Sequence, residues 1–153
     1  MAQTNYQARS YIDAIVDLLG GADVLGSDLV DRDSLVSVTR AGLPKESLVH
    51  LLSVIEASAG GGATTVTWLR AELTKECEDH VGLNSKSSEM TLRIATLLVA
   101  LFGVFKDVDL AVSFLLSPHR SLDGEAPIKA IFTSSGVNAV NKLVGQGQHG
   151  MPA

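Results

Sequence analysis

The stretch Ser87-Ser88-Glu89-Met90-Thr91-Leu92-Arg93-Ile94-Ala95-Thr96-Leu97-Leu98-Val99-Ala100-Leu101-Phe102-Gly103-Val104-Phe105 decides the fold. A serine opens it as a helix cap, no proline interrupts it, and its second half is apolar on nearly every side. A helix without a polar face must be enclosed by its neighbours, so Ser87 or Ser88 to about Phe105 is read as a central helix. Its longest apolar run, Ile94 to Phe105, is about 12 residues, against the roughly 20 that span a bilayer. The run predicts a buried helix and no membrane contact.

On the N-terminal side of this helix the chain reads as shorter amphipathic helices punctuated by glycine. Ser10-Tyr11-Ile12-Asp13 has capping-box spacing, Ile12, Ile15, Val16 and Leu19 follow at helical intervals, and Gly20-Gly21 stops the run. A second helix is expected from about Asp31 to Ala41, with an acidic start, Leu35, Val36 and Val38 inward, and Gly42 past its end. Pro44 suits a first helical position, and Leu48, Leu51, Leu52 and Ile55 then recur until Gly60-Gly61-Gly62. Thr64 or Thr65 is expected to cap the next helix, whose stripe is Val66, Leu69, Leu73 and Cys77, ending by Gly82.

On the C-terminal side, Asp107 or Asp109 caps a helix through Leu116, which Ser117-Pro118 breaks. Two short helices, Ala126 to Phe132 and Ser135 to Val144, follow on either side of Thr133-Ser134. Gly145, Gly147 and Gly150 are expected to leave the end of the chain irregular. About eight helices with short connections, no alternating strand pattern and no internal repeat make the predicted fold class all-α. Aromatic residues are only 5% of a chain that is 46% hydrophobic, so Leu, Val, Ile and Ala must build the core, which suits packed helices.

The net charge is -5, spread so that no segment is basic. Residues 1–60 carry four Lys/Arg against eight Asp/Glu, residues 61–100 four against five, and residues 101–153 four against four. That balance excludes the strong positive field needed for non-specific phosphate binding. Cys77 is the only cysteine, which rules out an intrachain disulfide, and Met1-Ala2-Gln3-Thr4-Asn5 has no signal-peptide character. A cytoplasmic protein is expected.

Little in the chain supports catalysis. Cys77 and His80 share a helical face, but no second pair completes the three or four ligands of a zinc site, with His50, His119 and His149 scattered. Gly60 to Thr65 precedes a helix without the strand or the Lys-Ser/Thr pair of a phosphate loop. The thiol lies on an apolar stripe, no Gly-x-Ser-x-Gly elbow occurs, and Asp123 and Glu125 sit on a solvated turn. A binding protein without cofactor or metal is the expectation.

The order of residues from Phe102 onward carries more. Val104-Phe105-Lys106-Asp107, Leu110-Ala111 and Phe114-Leu115 lead into Ser117-Pro118-His119-Arg120-Ser121-Leu122-Asp123-Gly124, then Ala126-Pro127-Ile128-Lys129-Ala130-Ile131, with Thr133, Gly136, Val140 and Leu143 after it. This run resembles the C-terminal toxin-binding domain of the Xre/MbcA/ParS-like antitoxins. Ala41-Gly42-Leu43-Pro44 and Leu92-Arg93-Ile94-Ala95 also look like that family. The resemblance implies two parts: residues 1–100, a helix-turn-helix-like N-terminal region, and residues 101–153, a toxin-binding domain. It further implies a homodimeric antitoxin of a type II toxin–antitoxin system. Its partner would be a RES-domain toxin that consumes NAD or transfers ADP-ribose, with the active-site entrance covered by the antitoxin.

The candidate toxin contacts are Pro118, His119, Arg120, Leu122, Asp123 and Gly124 on the turn, with Leu122 tucking inward. Gln146, Gln148, His149, Gly150 and Met151 on the tail are the candidate plug. Three positions depart from the family pattern: a Leu-Gly-Gly turn is more usual than Leu122-Asp123-Gly124, a basic residue is common at Glu125, and Trp is common at Phe114. The N-terminal part of such proteins is often used on promoter DNA. Here Lys75-Glu76-Cys77-Glu78-Asp79-His80 stands where arginines cluster in the family, and acidic residues repel phosphate. A DNA-binding repressor whose C-terminal helices dimerise it is therefore the second reading, with Arg70, Lys75 and Lys86 as its candidate contacts.

Overall fold

A computed structural model of the protein describes residues 12–26, 32–58, 63–75 and 82–148. Along these the chain forms α1 (12–18), α2 (Ala22–Leu25), α3 (Arg32–Ala41), α4 (Lys45–Ser58), α5 (Ala63–Thr74), α6 (Ser85–Phe105) and α7 (Val108–Leu116). A 3-10 turn (Arg120–Leu122), α8 (Pro127–Ala130) and α9 (Ser134–Gln148) follow. No strand occurs among the described residues. The fold is all-α.

The centre is α6. Ten of its 21 residues are buried, including Ile94, Leu98 and Leu101, and it touches α3, α4, α5, α7 and α9. By length and composition α6 could cross a membrane, but its apolar sides meet protein. Leu19 at the end of α1, Leu48, Leu51, Leu52 and Ile55 of α4, Leu69 of α5 and Leu115 of α7 are buried in the same cluster. Each such side chain contributes about 1.5–3 kcal/mol relative to exposure. The expected division after residue 100 falls inside α6, and residues on both sides of it share the core.

The start of α6 corrects the expectation of a Ser87 or Ser88 cap. Asn84 is the cap, its side chain accepting the Ser87 N–H at 2.8 Å. Ser88 instead links two segments, because its Oγ accepts the Leu43 N–H at 2.8 Å and donates to the Leu83 carbonyl. Leu83 N–H also donates to the Leu43 carbonyl at 2.8 Å, stapling the α3–α4 connection to the entry of α6. The two backbones pass so closely that a Cβ on Gly82 would lie 2.6 Å from the Leu43 carbonyl oxygen.

Other boundaries shift as well. Pro44 lies one residue before α4, and α5 begins at Ala63, so Thr64 and Thr65 are inside it. α5 ends at Thr74, while Cys77 and His80 lie outside the described residues, as do Ser10, Tyr11 and the Gly60-Gly61-Gly62 stop. α8 stops at Ala130, two residues before the expected Phe132, because Ile131 and Phe132 turn the chain towards α9. The largest correction is at α9. It continues through Gly145 and Gly147 to Gln148 where an irregular tail was expected. Each glycine costs a helix about 1 kcal/mol, but Val140 and Val144 are buried under the same helix and hold it in register.

Candidate partner-binding surface

The turn after α7 is built almost entirely from backbone hydrogen bonds. Asp107 caps α7, accepting the Leu110 N–H at 3.1 Å, and Ser117 leaves the helix in an extended conformation before Pro118. His119 and Glu125 then pair across the turn: His119 N–H donates to the Glu125 carbonyl at 3.1 Å, and Gly124 N–H to the His119 carbonyl at 2.9 Å. Between them the 3-10 turn closes, with Leu122 N–H donating to His119 and Asp123 N–H to Arg120. Asp123 and Gly124 both adopt positive φ, 56° and 82°. The family's Gly-Gly suits those two positions, and Asp at the first is among the few L residues that tolerate the left-handed region.

The turn is anchored from below. Leu122 is only 6% exposed and its turn rests against α9; Ala126, Pro127 and Ile128 are buried behind it. The His119 ring lies against Phe114, centroids 4.3 Å apart and planes tilted by 41°, and Phe114 meets Phe105 at 5.4 Å. His119 Nε2 lies 3.3 Å from the Phe114 carbonyl oxygen. Phe114 thus serves as the aromatic platform for His119, a contact that needs apolar ring area but not the Trp indole.

Of the predicted contacts, Pro118, Arg120, Asp123 and Gly124 are exposed, and Glu125 joins them. Among the described residues, Arg120, Asp123 and Glu125 have no intramolecular ion pair or side-chain hydrogen bond. Leu122 is brought to the turn but points inward, so it sets the turn's shape. Gln146 and Gln148 are in the last turn of α9, correcting their assignment to a free tail; His149, Gly150 and Met151 lie outside the described residues.

The predicted nucleic-acid contacts fall elsewhere. Arg70 pairs with Glu56 at 3.1 Å and Lys75 with Glu72 at 2.8 Å, so two of the three cations face carboxylates of their own chain. Lys86 is exposed on the first turn of α6.

Three contacts between elements were not foreseen from the sequence. Arg93 of α6 reaches across to the segment after α8, donating to the Ile131 carbonyl at 2.7 Å and pairing with Glu89 at 3.2 Å. Next to it, Phe132 meets Trp68 of α5 at 5.4 Å, with Lys129 over the indole. Between α6 and α9 lies an open groove of about 480 Å3, walled mainly by Leu92, Leu97, Ala100, Ile131, Val137 and Val144.

The turn, its aromatic platform, α8 and α9 thus form one continuous presenting unit. Residues 100–150 match the family described as the antitoxin Xre/MbcA/ParS C-terminal toxin-binding domain. The segment similar to this toxin-binding domain contains the turn, α7, α8 and α9, and excludes Arg70, Lys75 and Lys86. The match supports an antitoxin role and a toxin as partner. No curated protein and no solved structure matches the chain.

Proposed function

We propose that the protein is the antitoxin of a cytoplasmic type II toxin–antitoxin pair, acting as a homodimer that neutralises a RES-domain toxin by covering its active site. The toxin is the enzyme, consuming NAD or transferring ADP-ribose; the antitoxin supplies shape and charge and no chemistry of its own. The reading is carried by the turn from Ser117 to Ala126: it holds Arg120, Asp123 and Glu125 exposed, with no ion pair among the described residues, on a frame cross-linked by its own backbone hydrogen bonds. A frame held in this way spares the backbone the entropy cost of ordering on binding, and its exposed charges steer an oppositely patterned partner.

Asp123 and Glu125, where the family more often carries glycine and a basic residue, would tune the choice of toxin. Residues following Gln148 would extend the covering surface. Co-expression with the toxin encoded beside it tests the proposal: cells survive with the wild-type chain, and the two proteins co-elute. Continued toxicity with no complex on a sizing column refutes it.

A further inference from the structure

We propose that the α6–α9 groove is a second toxin contact, which receives an uncharged apolar anchor side chain, aliphatic or aromatic, from the toxin. This rests on the antitoxin reading above and deepens it. The groove measures about 480 Å3, inside the roughly 300–1,000 Å3 range of sites that seat a ligand. Its walls are mainly aliphatic, and its charged groups are already satisfied. Arg93 and Glu89 pair with each other at 3.2 Å, and the second Arg93 terminal nitrogen is held by the Ile131 carbonyl at 2.7 Å. A groove whose one cation is doubly engaged does not select an anion. Its other polar lining, Thr96 and Asn141, is neutral. An apolar side chain gains most by entering it.

The occupant follows from continuity with the toxin-binding segment. Ala100, Ile131 and the α9 wall all lie within the matched residues 100–150. α9 also touches the Arg120–Leu122 turn, so the helix that walls the groove also supports the charged tip. A single partner lying along α9 would meet the turn with polar groups and the groove with an apolar one. That is the usual arrangement of an interface, in which a few buried anchors carry most of the energy and charged contacts set register.

The test fills the groove. Ala100→Trp adds bulk at a half-buried lining residue, and Asn141→Trp adds it at an exposed lining residue, away from the core. Each is titrated with the toxin encoded beside the chain, with thermal unfolding as a check on folding. Both variants are expected to unfold like the wild type and to bind the toxin about tenfold to a hundredfold more weakly. Wild-type affinity in a folded Ala100→Trp or Asn141→Trp chain overturns the groove proposal while leaving the antitoxin reading intact. So does a weakening explained wholly by loss of self-association on a sizing column, which would make the groove a contact between copies. Failure of the wild-type chain itself to bind the toxin refutes the antitoxin reading instead.

Discussion

The turn from Ser117 to Ala126 and the cationic positions of the N-terminal region use charge in opposite ways. On α5 and just past its end, Arg70 and Lys75 face Glu56 and Glu72, so their fields are largely cancelled within the molecule. On the turn, Arg120, Asp123 and Glu125 face solvent with no ion-pair partner among the described residues, although the backbone beneath them is held by its own hydrogen bonds. A partner that pairs with the turn would not have to displace an existing intramolecular pair. A cation already beside a carboxylate must lose that pair before it can bind, whereas one on the turn gives up only its hydration and its side-chain freedom.

The largest effect should come from the frame. Leu122→Ala removes the buried anchor of the turn and should lower stability by about 3 kcal/mol, read from denaturant unfolding, with toxin affinity falling further than stability alone explains. A Leu122→Ala chain that kept full stability would show that the turn is not anchored from below. Next is the tip itself. Arg120→Glu should leave unfolding unchanged yet weaken the toxin complex about tenfold to a hundredfold, mainly through a slower or salt-insensitive association. Equal binding by both charges would remove Arg120 from the interface.

A smaller effect separates backbone from side chain at position 123. Asp123→Ala should cost about 1 kcal/mol, since alanine tolerates the left-handed region less well than aspartate, whereas Asp123→Gly should be at least as stable as the wild type. Thermal unfolding of the two variants decides this. Smallest of all, Arg70→Gln breaks an exposed pair and should change stability by no more than about 0.5 kcal/mol, with toxin binding unaltered. A large loss of toxin affinity there would erase the contrast between the two regions.

Much of this architecture is legible in the sequence because it depends on local rules. The uninterrupted apolar run from Ile94 to Phe105 forms part of the buried helix, and Pro118, Gly124 and Pro127 mark the turn where the structure has it. The helix ends were less legible. Asn84, Ser85, Ser87 and Ser88 all have side chains able to cap, and only the long-range bond between Ser88 and Leu43 explains why Ser88 is used elsewhere. The persistence of α9 through two glycines was hidden for a similar reason, since it depends on burial of Val140 and Val144 against distant elements.

The charged tip could be read from the order of residues after Phe102; the groove could not. Its walls come from α6, Ile131 and α9, and none of these segments shows by its own spacing that a space remains between them. Arg93 stands in a stretch that resembles the family, but its contact was hidden as well. Its position on a helix looks like that of any solvated arginine until the Ile131 carbonyl is seen 2.7 Å away.

If, as proposed, the charges on the Ser117 to Ala126 turn cover the mouth of a partner enzyme, titrating the chain into the neighbouring toxin should stop its NAD turnover. Turnover is expected to fall to background at a stoichiometric amount of wild-type chain, and Arg120→Glu to shift the curve to higher concentration. A toxin that binds the chain yet keeps its full turnover, or an inhibition curve identical for both chains, refutes the proposal.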